Sequence, residues 1–179
     1  LRTKHGTYWR WVRPVFDGAT RSSANARIEF RPLPAQPTVR GSVALQAAFA
    51  GLMESLPKRQ HPVIDLDWET AEENFYAACR DGLESTQRWI TNDGSMTTDR
   101  ETLYTELLDH AADGLEHAGL GPDEVAHFLD PLYRRVEAGQ TPAGWKRAAV
   151  RRRLDDGADI AAAVTGMQRE YVEKQAETL

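Results

Sequence analysis

With 179 residues, 27 acidic against 22 basic side chains and a formal charge of −5, the chain is long enough to bury a core. It is too acidic to leave the basic footprint of a nucleic-acid binder. No run of roughly 18 apolar residues and no secretory signal occurs, so no membrane span is expected and a cytoplasmic location fits. The lone cysteine, Cys79, excludes an internal disulfide and a thiolate metal cage, and is expected as a small core residue.

The first third reads as strand, loop, strand, helix. Residues 7–16 are rich in β-branched and aromatic types, and Pro14 confines them to a strand end or a sheet edge. A polar loop over 17–25 leads to a second strand over 26–31, paired with the first as an antiparallel hairpin. In Arg27-Ile28-Glu29-Phe30-Arg31 apolar and charged residues alternate, so Ile28 and Phe30 should face a core. Arg27, Glu29 and Arg31 then share the other face. Pro32, Pro34 and Pro37 punctuate the exit, and a largely apolar helix is predicted over 39–55, with Pro57 after its end.

The remainder is helical in pattern. Asp67 can cap a helix over 68–88, and Asn92-Asp93-Gly94, flanked by Trp89, Ile90 and Met96, suits a minor hairpin. Thr98 with Glu101 forms a capping-box pattern for a helix reaching His117. Gly121-Pro122 opens another to Ala138, Thr141-Pro142 the next, and Asp156 or Gly157 the last. The fold class is α+β: an antiparallel strand pair followed by a mostly helical region. An isolated two-stranded ribbon is marginal, so the hairpin is expected to belong to a larger sheet. Together with the start at Leu1, this predicts one domain over 1–179, a hairpin at 1–37 and helices at 38–179, cut from a longer protein whose N-terminal half is missing.

Several residues carry chemistry. On one strand face Glu29 and Arg31 stand roughly 6–7 Å apart, which suits a metal ion beside a phosphate or carboxylate. The same pattern describes a half-buried strand with a salt-bridged outer face. Arg10 or Arg13 could reach phosphate from the neighbouring strand, or pack on Trp9 and Trp11. Glu73 and Arg80 lie two turns apart near one helix face, with Asn74 beside them; an interhelical ion pair is the alternative use. His110, Asp113 and His117 could share a face, yet lack a tight histidine pair for metal. The basic run over 146–153 suits an interhelical or domain contact.

Four segments taken in order, Tyr8-Trp9-Arg10-Trp11-Val12-Arg13-Pro14, Arg27-Ile28-Glu29-Phe30-Arg31, the helix from Glu73-Asn74 to Arg80-Asp81-Gly82, and Pro142-Ala143-Gly144-Trp145-Lys146-Arg147, resemble the C-terminal half of the carboxylate–amine ligases of the glutamate–cysteine ligase type 2 family. The resemblance implies a glutamine-synthetase-like antiparallel sheet, Mg2+, and ATP as co-substrate with amino acid substrates. It implies Glu29 as a magnesium ligand, Arg31 at the transferred phosphoryl group or the substrate carboxylate, Arg13 at phosphate, and Asn74, Arg80 and Arg147 toward nucleotide. Lys146 departs from the family's glutamine, and Pro32-Leu33-Pro34 departs from the usual small residue and aspartate near the acceptor region. The implied activity joins glutamate to an amino acid amine through an acyl phosphate, with this piece inactive alone. A non-catalytic helical scaffold is the alternative reading. Exposed Trp9 or Trp11 on an incomplete sheet would favour homo-oligomers.

Overall fold

The computed structural model describes residues 12–18, 20 and 23–177, and the chain divides into two units, Leu1–Ala35 and Gln36–Leu179. The architecture is α+β: two small antiparallel strand pairs and, among the described residues, six α-helices. Tyr8, Trp9, Arg10 and Trp11, with the expectations placed on them, lie outside the described residues.

In the first unit, β1 (Val12–Asp17) pairs antiparallel with β2 (Asn25–Phe30), with Arg13 opposite Glu29 and Val15 opposite Arg27. Strand alternation therefore gathers Arg13, Val15, Arg27 and Glu29 on one face, and Val12, Pro14, Phe16, Ile28 and Phe30 on the other. The alternation holds, but the expected core does not form over that second face. Ile28 is 42% exposed and Phe16 73%, and no residue of the pair is among the buried core. A two-stranded ribbon has no second layer of its own to cover its apolar side.

In the second unit, α1 (Val39–Ser55), α3 (Arg100–His117) and α4 (Pro122–Ala138) bury one core of Ala44, Ala48, Leu108, Ala111, Leu115, Val125, Leu129 and Leu132. Small residues let α1 and α3 approach closely. A Cβ on Gly114 would stand 1.9 Å from the Gly51 carbonyl oxygen, and one on Gly51 would stand 2.0 Å from that of Ala111. Pro131 lies inside α4 and cannot donate to the His127 carbonyl. The guanidinium of Arg40 on α1 donates to that carbonyl instead, at 3.4 Å.

The helix α2 (Trp68–Asp81) starts where expected: the Asp67 carboxylate accepts from the Thr70 amide at 2.7 Å. It stops seven residues before the predicted end, because Gly82 turns the chain at φ 59° into a short 3-10 turn. Cys79, expected in the core, is exposed on its last turns. The short strands β3 (Trp89–Ile90) and β4 (Met96–Thr97) form the minor hairpin. The cap of α3 is Asp99 rather than Thr98, accepting from the Thr102 amide at 2.8 Å. Thr98 thus sits one residue too early for a box with Glu101. The helix α5 (Pro142–Asp155) is capped by Thr141, and α6 (Ile160–Glu177) begins three residues beyond Gly157, because the Asp159 carboxylate accepts from the Ala162 amide at 2.8 Å.

Candidate functional site

On the hairpin, register alone brings a carboxylate between two guanidinium groups. Arg13 sits across the ladder from Glu29, and Arg31 two residues further along the same face. Arg13 donates through Nε to Glu29 Oε2. Arg31 grips the same carboxylate at both oxygens, Nε to Oε1 at 2.9 Å and Nη2 to Oε2 at 3.1 Å. The Arg31 hydrogen bonds, then that of Arg13, hold the Glu29 carboxyl below its ordinary range. Arg27 on this face reaches Asp17 at 3.8 Å and Asn25 at 3.0 Å. Among the described residues, three arginines thus meet two carboxylates on this face. Among the described residues no group of three or more His, Cys, Asp or Glu side chains is placed to hold a metal ion, which includes His110, Asp113 and His117.

The residues proposed toward nucleotide all lie in the helical unit. Arg80 and Arg147 line one cleft of about 440 Å³, between the last turn of α2 and the start of α5, with Asp81, Glu84 and the exposed Cys79 also on its walls. Among the described residues Arg80 pairs only with neighbouring Asp81, at 3.4 Å and largely in solvent. Among the described residues Arg147 makes no hydrogen bond or ion pair. Asn74 faces a second, open cleft of about 540 Å³ that Arg80 also borders, so Arg80 links the three. Asn74 itself is engaged: its carboxamide donates to the Arg88 carbonyl and accepts from the Arg88 amide, both at 2.8 Å. Glu73 holds the Arg88 guanidinium at 2.6 Å rather than Arg80. Lys146 lies over the Tyr171 ring at 3.7 Å, a cation–π contact that joins α5 to α6. The basic run serves the same junction, since Arg152 and Arg153 both donate to Glu170, at 3.0 and 2.6 Å.

The sequence gives no local signal for a polar hub around Glu106 of α3. Its carboxylate accepts from Trp89 Nε1 at 3.2 Å and the Asn92 amide at 3.1 Å, and stands 4.0 Å from Arg59. Arg59 donates to the Ile90 carbonyl at 2.8 Å and lies over Trp89, with its side chain only 2% exposed. The hub ties the β3–β4 hairpin to α3 across separations that periodicity cannot register. Inside that hairpin, Asp93 accepts from Thr91 Oγ1 and the Ser95 amide, bonds that depress its carboxyl to about 2.

Comparison with known proteins bears on the whole chain. The model of Glutamate-cysteine ligase family 2 matches residues 2–178, and the chain belongs to that family. No curated protein and no solved structure matches it.

Proposed function

Taking membership of this ligase family as the premise, we propose that the chain is the C-terminal part of an ATP-dependent carboxylate–amine ligase. The observation that carries this reading is the Glu29 carboxylate held between Arg13 and Arg31 on one strand face. In the proposed reaction the γ-phosphoryl group of ATP passes to the side-chain carboxylate of glutamate, giving an acyl phosphate and ADP. The amine of a second amino acid then displaces phosphate and forms the amide.

The side chains on the hairpin have defined parts in this scheme. Arg13 and Arg31 exchange Glu29 for phosphoryl oxygens, which match guanidinium geometry as well as a carboxylate does. A Glu29 oxygen so released is a hard ligand of the kind Mg2+ takes, since that ion commonly uses one or two protein carboxylates and completes its shell with phosphate and water. When bound, Mg2+ would neutralise charge on the phosphates. Glu29 fits one such ligand, and among the described residues no group of three or more side chains supplies a complete protein cage. Positioning and fixed positive charge are the contributions the arginines make.

In the helical unit, Arg80 and Arg147 are proposed to meet nucleotide phosphates, and Asn74 to hold the wall of the adjoining cleft through Arg88. The test is Glu29→Gln in the full-length ligase. Mg2+- and ATP-dependent amide formation should fall below detection while Tm moves little, because the carboxylate is 38% exposed and exposed ion pairs contribute about 0–1 kcal/mol. Retained ligation would remove Glu29 from the reaction. Loss of folding would favour the scaffold reading. The 179-residue chain alone is expected to show no turnover.

A further inference from the structure

A pocket of about 290 Å³ lies where α1 ends against α3, lined by Ser55, Lys58, Arg59, His110, Asp113 and His117 among others. None of these residues borders the clefts of Asn74, Arg80 and Arg147. Its volume is at the lower limit of ligand pockets, roughly 300 Å³ upward, so it suits a small molecule and not a nucleotide.

Its donors are incompletely used. Arg59 spends Nη2 on the Ile90 carbonyl, but its Nε and Nη1 are buried with no hydrogen-bond partner, and so is Ser55 Oγ. Buried donors left unpaired cost about 1–3 kcal/mol each, more when charged. An acceptor brought into the pocket would relieve that cost once the Arg59 guanidinium, now closed to solvent over Trp89, turns toward it. A simple anion is a poor match, because carboxylates also line the wall. Glu54 is balanced by Lys58 at 3.9 Å, whereas Asp113 makes no hydrogen bond or ion pair among the described residues. Donors for a carboxylate on one side and a carboxylate outside any ion pair on another are complementary to a zwitterion.

We propose that this pocket binds a free α-amino acid, whose carboxylate accepts from Arg59 and Ser55 and whose ammonium group faces Asp113. The proposal stands on this donor set and is independent of the ligase reading. His110 and His117 on the wall report occupancy directly, with His110 Nε2 already 2.7 Å from Asn92 Oδ1.

The experiment is an NMR titration of the chain with glycine, following the two imidazole rings, with acetate and methylammonium as separate probes. Glycine should shift both histidines saturably, and neither half-molecule should match it. Asp113→Asn should weaken glycine binding by about fivefold, the scale of one partly exposed ion pair. Ser55→Ala should weaken it without unfolding the chain, which avoids the structural cost of replacing Arg59. Absence of any glycine shift at millimolar concentration would mean that water alone fills the pocket, and would overturn the proposal. Equal binding of acetate, indifferent to Asp113→Asn, would overturn it in favour of a plain anion site.

Discussion

Replacing Gly114 by alanine tests the closest packing in the helical unit. The added Cβ would begin 1.9 Å from the Gly51 carbonyl oxygen, where an ordinary carbon–oxygen contact is about 3.3 Å. The helices must therefore separate by about 1.4 Å at a point where the obstacle is backbone. No rotamer change relieves that, and the buried Ala111, Leu108 and Leu115 beside it lose contact as α3 moves. Overpacking of this kind costs about 1–3 kcal/mol and occasionally more, and the backbone obstacle puts Gly114→Ala at about 3 kcal/mol or above. With a urea slope of about 2 kcal/mol/M, the midpoint should fall by about 1.5 M. Gly51→Ala should behave alike, and the double variant should cost less than the sum, because one separation accommodates both methyl groups. Gly144→Ala is the control: its Cβ meets only Thr141 Oγ1 at 3.4 Å, so its midpoint should move little or rise with helix propensity. A Gly114→Ala midpoint within error of the parent would refute the close crossing. It would also refute the geometry of the pocket that Gly114 helps to line.

Three further outcomes follow from particular side chains. Glu106→Gln removes the charge opposite the buried Arg59 and one of two acceptor oxygens, Oε2 serving Trp89 and Oε1 the Asn92 amide; it should cost about 2–3 kcal/mol and alter Trp89 fluorescence, read in a denaturant titration. Asn74→Ala should cost about 1–2 kcal/mol by freeing the Arg88 backbone, whereas Arg80→Ala and Arg147→Ala should stay within about 0.5 kcal/mol and weaken nucleotide binding by the intact ligase. The Asp93 carboxyl, at about 2 against an ordinary 3.8, binds its proton less readily folded than unfolded. Its contribution is therefore complete above about 3.8 and lost as pH falls toward about 2, a window that carboxyl-resolved NMR titration of the wild type and Asp93→Asn would display.

What the sequence discloses depends on how local the cause is. Helices α1 and α4 match their predicted bounds, since Pro57 and Gly121-Pro122 are punctuation that acts within a turn. The minor hairpin is legible for the same reason, in Asn92-Asp93-Gly94. The predicted end of α2 at residue 88 overshoots because no proline interrupts residues 83–88, whereas the positive φ of Gly82 ends the helix before that segment begins. Cys79 is expected in the core because free cysteine is usually buried; instead it is exposed on a helix whose Phe75 and Tyr76 are themselves 43% and 57% exposed, and residue type does not say which face is covered. The Glu106–Arg59–Trp89 hub is invisible to periodicity, since its members lie 17 to 47 residues apart and are joined only by tertiary packing.

Glu29 shows how far a strand pattern can be carried. Alternation placed it with Arg31, and antiparallel register added Arg13, whose partner across the ladder was not evident from either strand alone. The result fits two physical descriptions. As a closed ion pair it would contribute little, because Glu29 is 38% exposed and water already solvates much of it. Its geometry is tighter than a single exposed pair: one carboxylate receives three guanidinium contacts from two arginines. A guanidinium pairs with phosphate oxygens in the same two-pronged way as with a carboxylate, so the donors that hold Glu29 have the geometry an oxyanion would use. A phosphoryl group arriving there competes with Glu29 for donors already oriented, so ordering those side chains adds little to the cost of binding. Under the ligase proposal, that pre-orientation is what the resting ion pair contributes to phosphoryl transfer, and Glu29→Gln removes the group that maintains it.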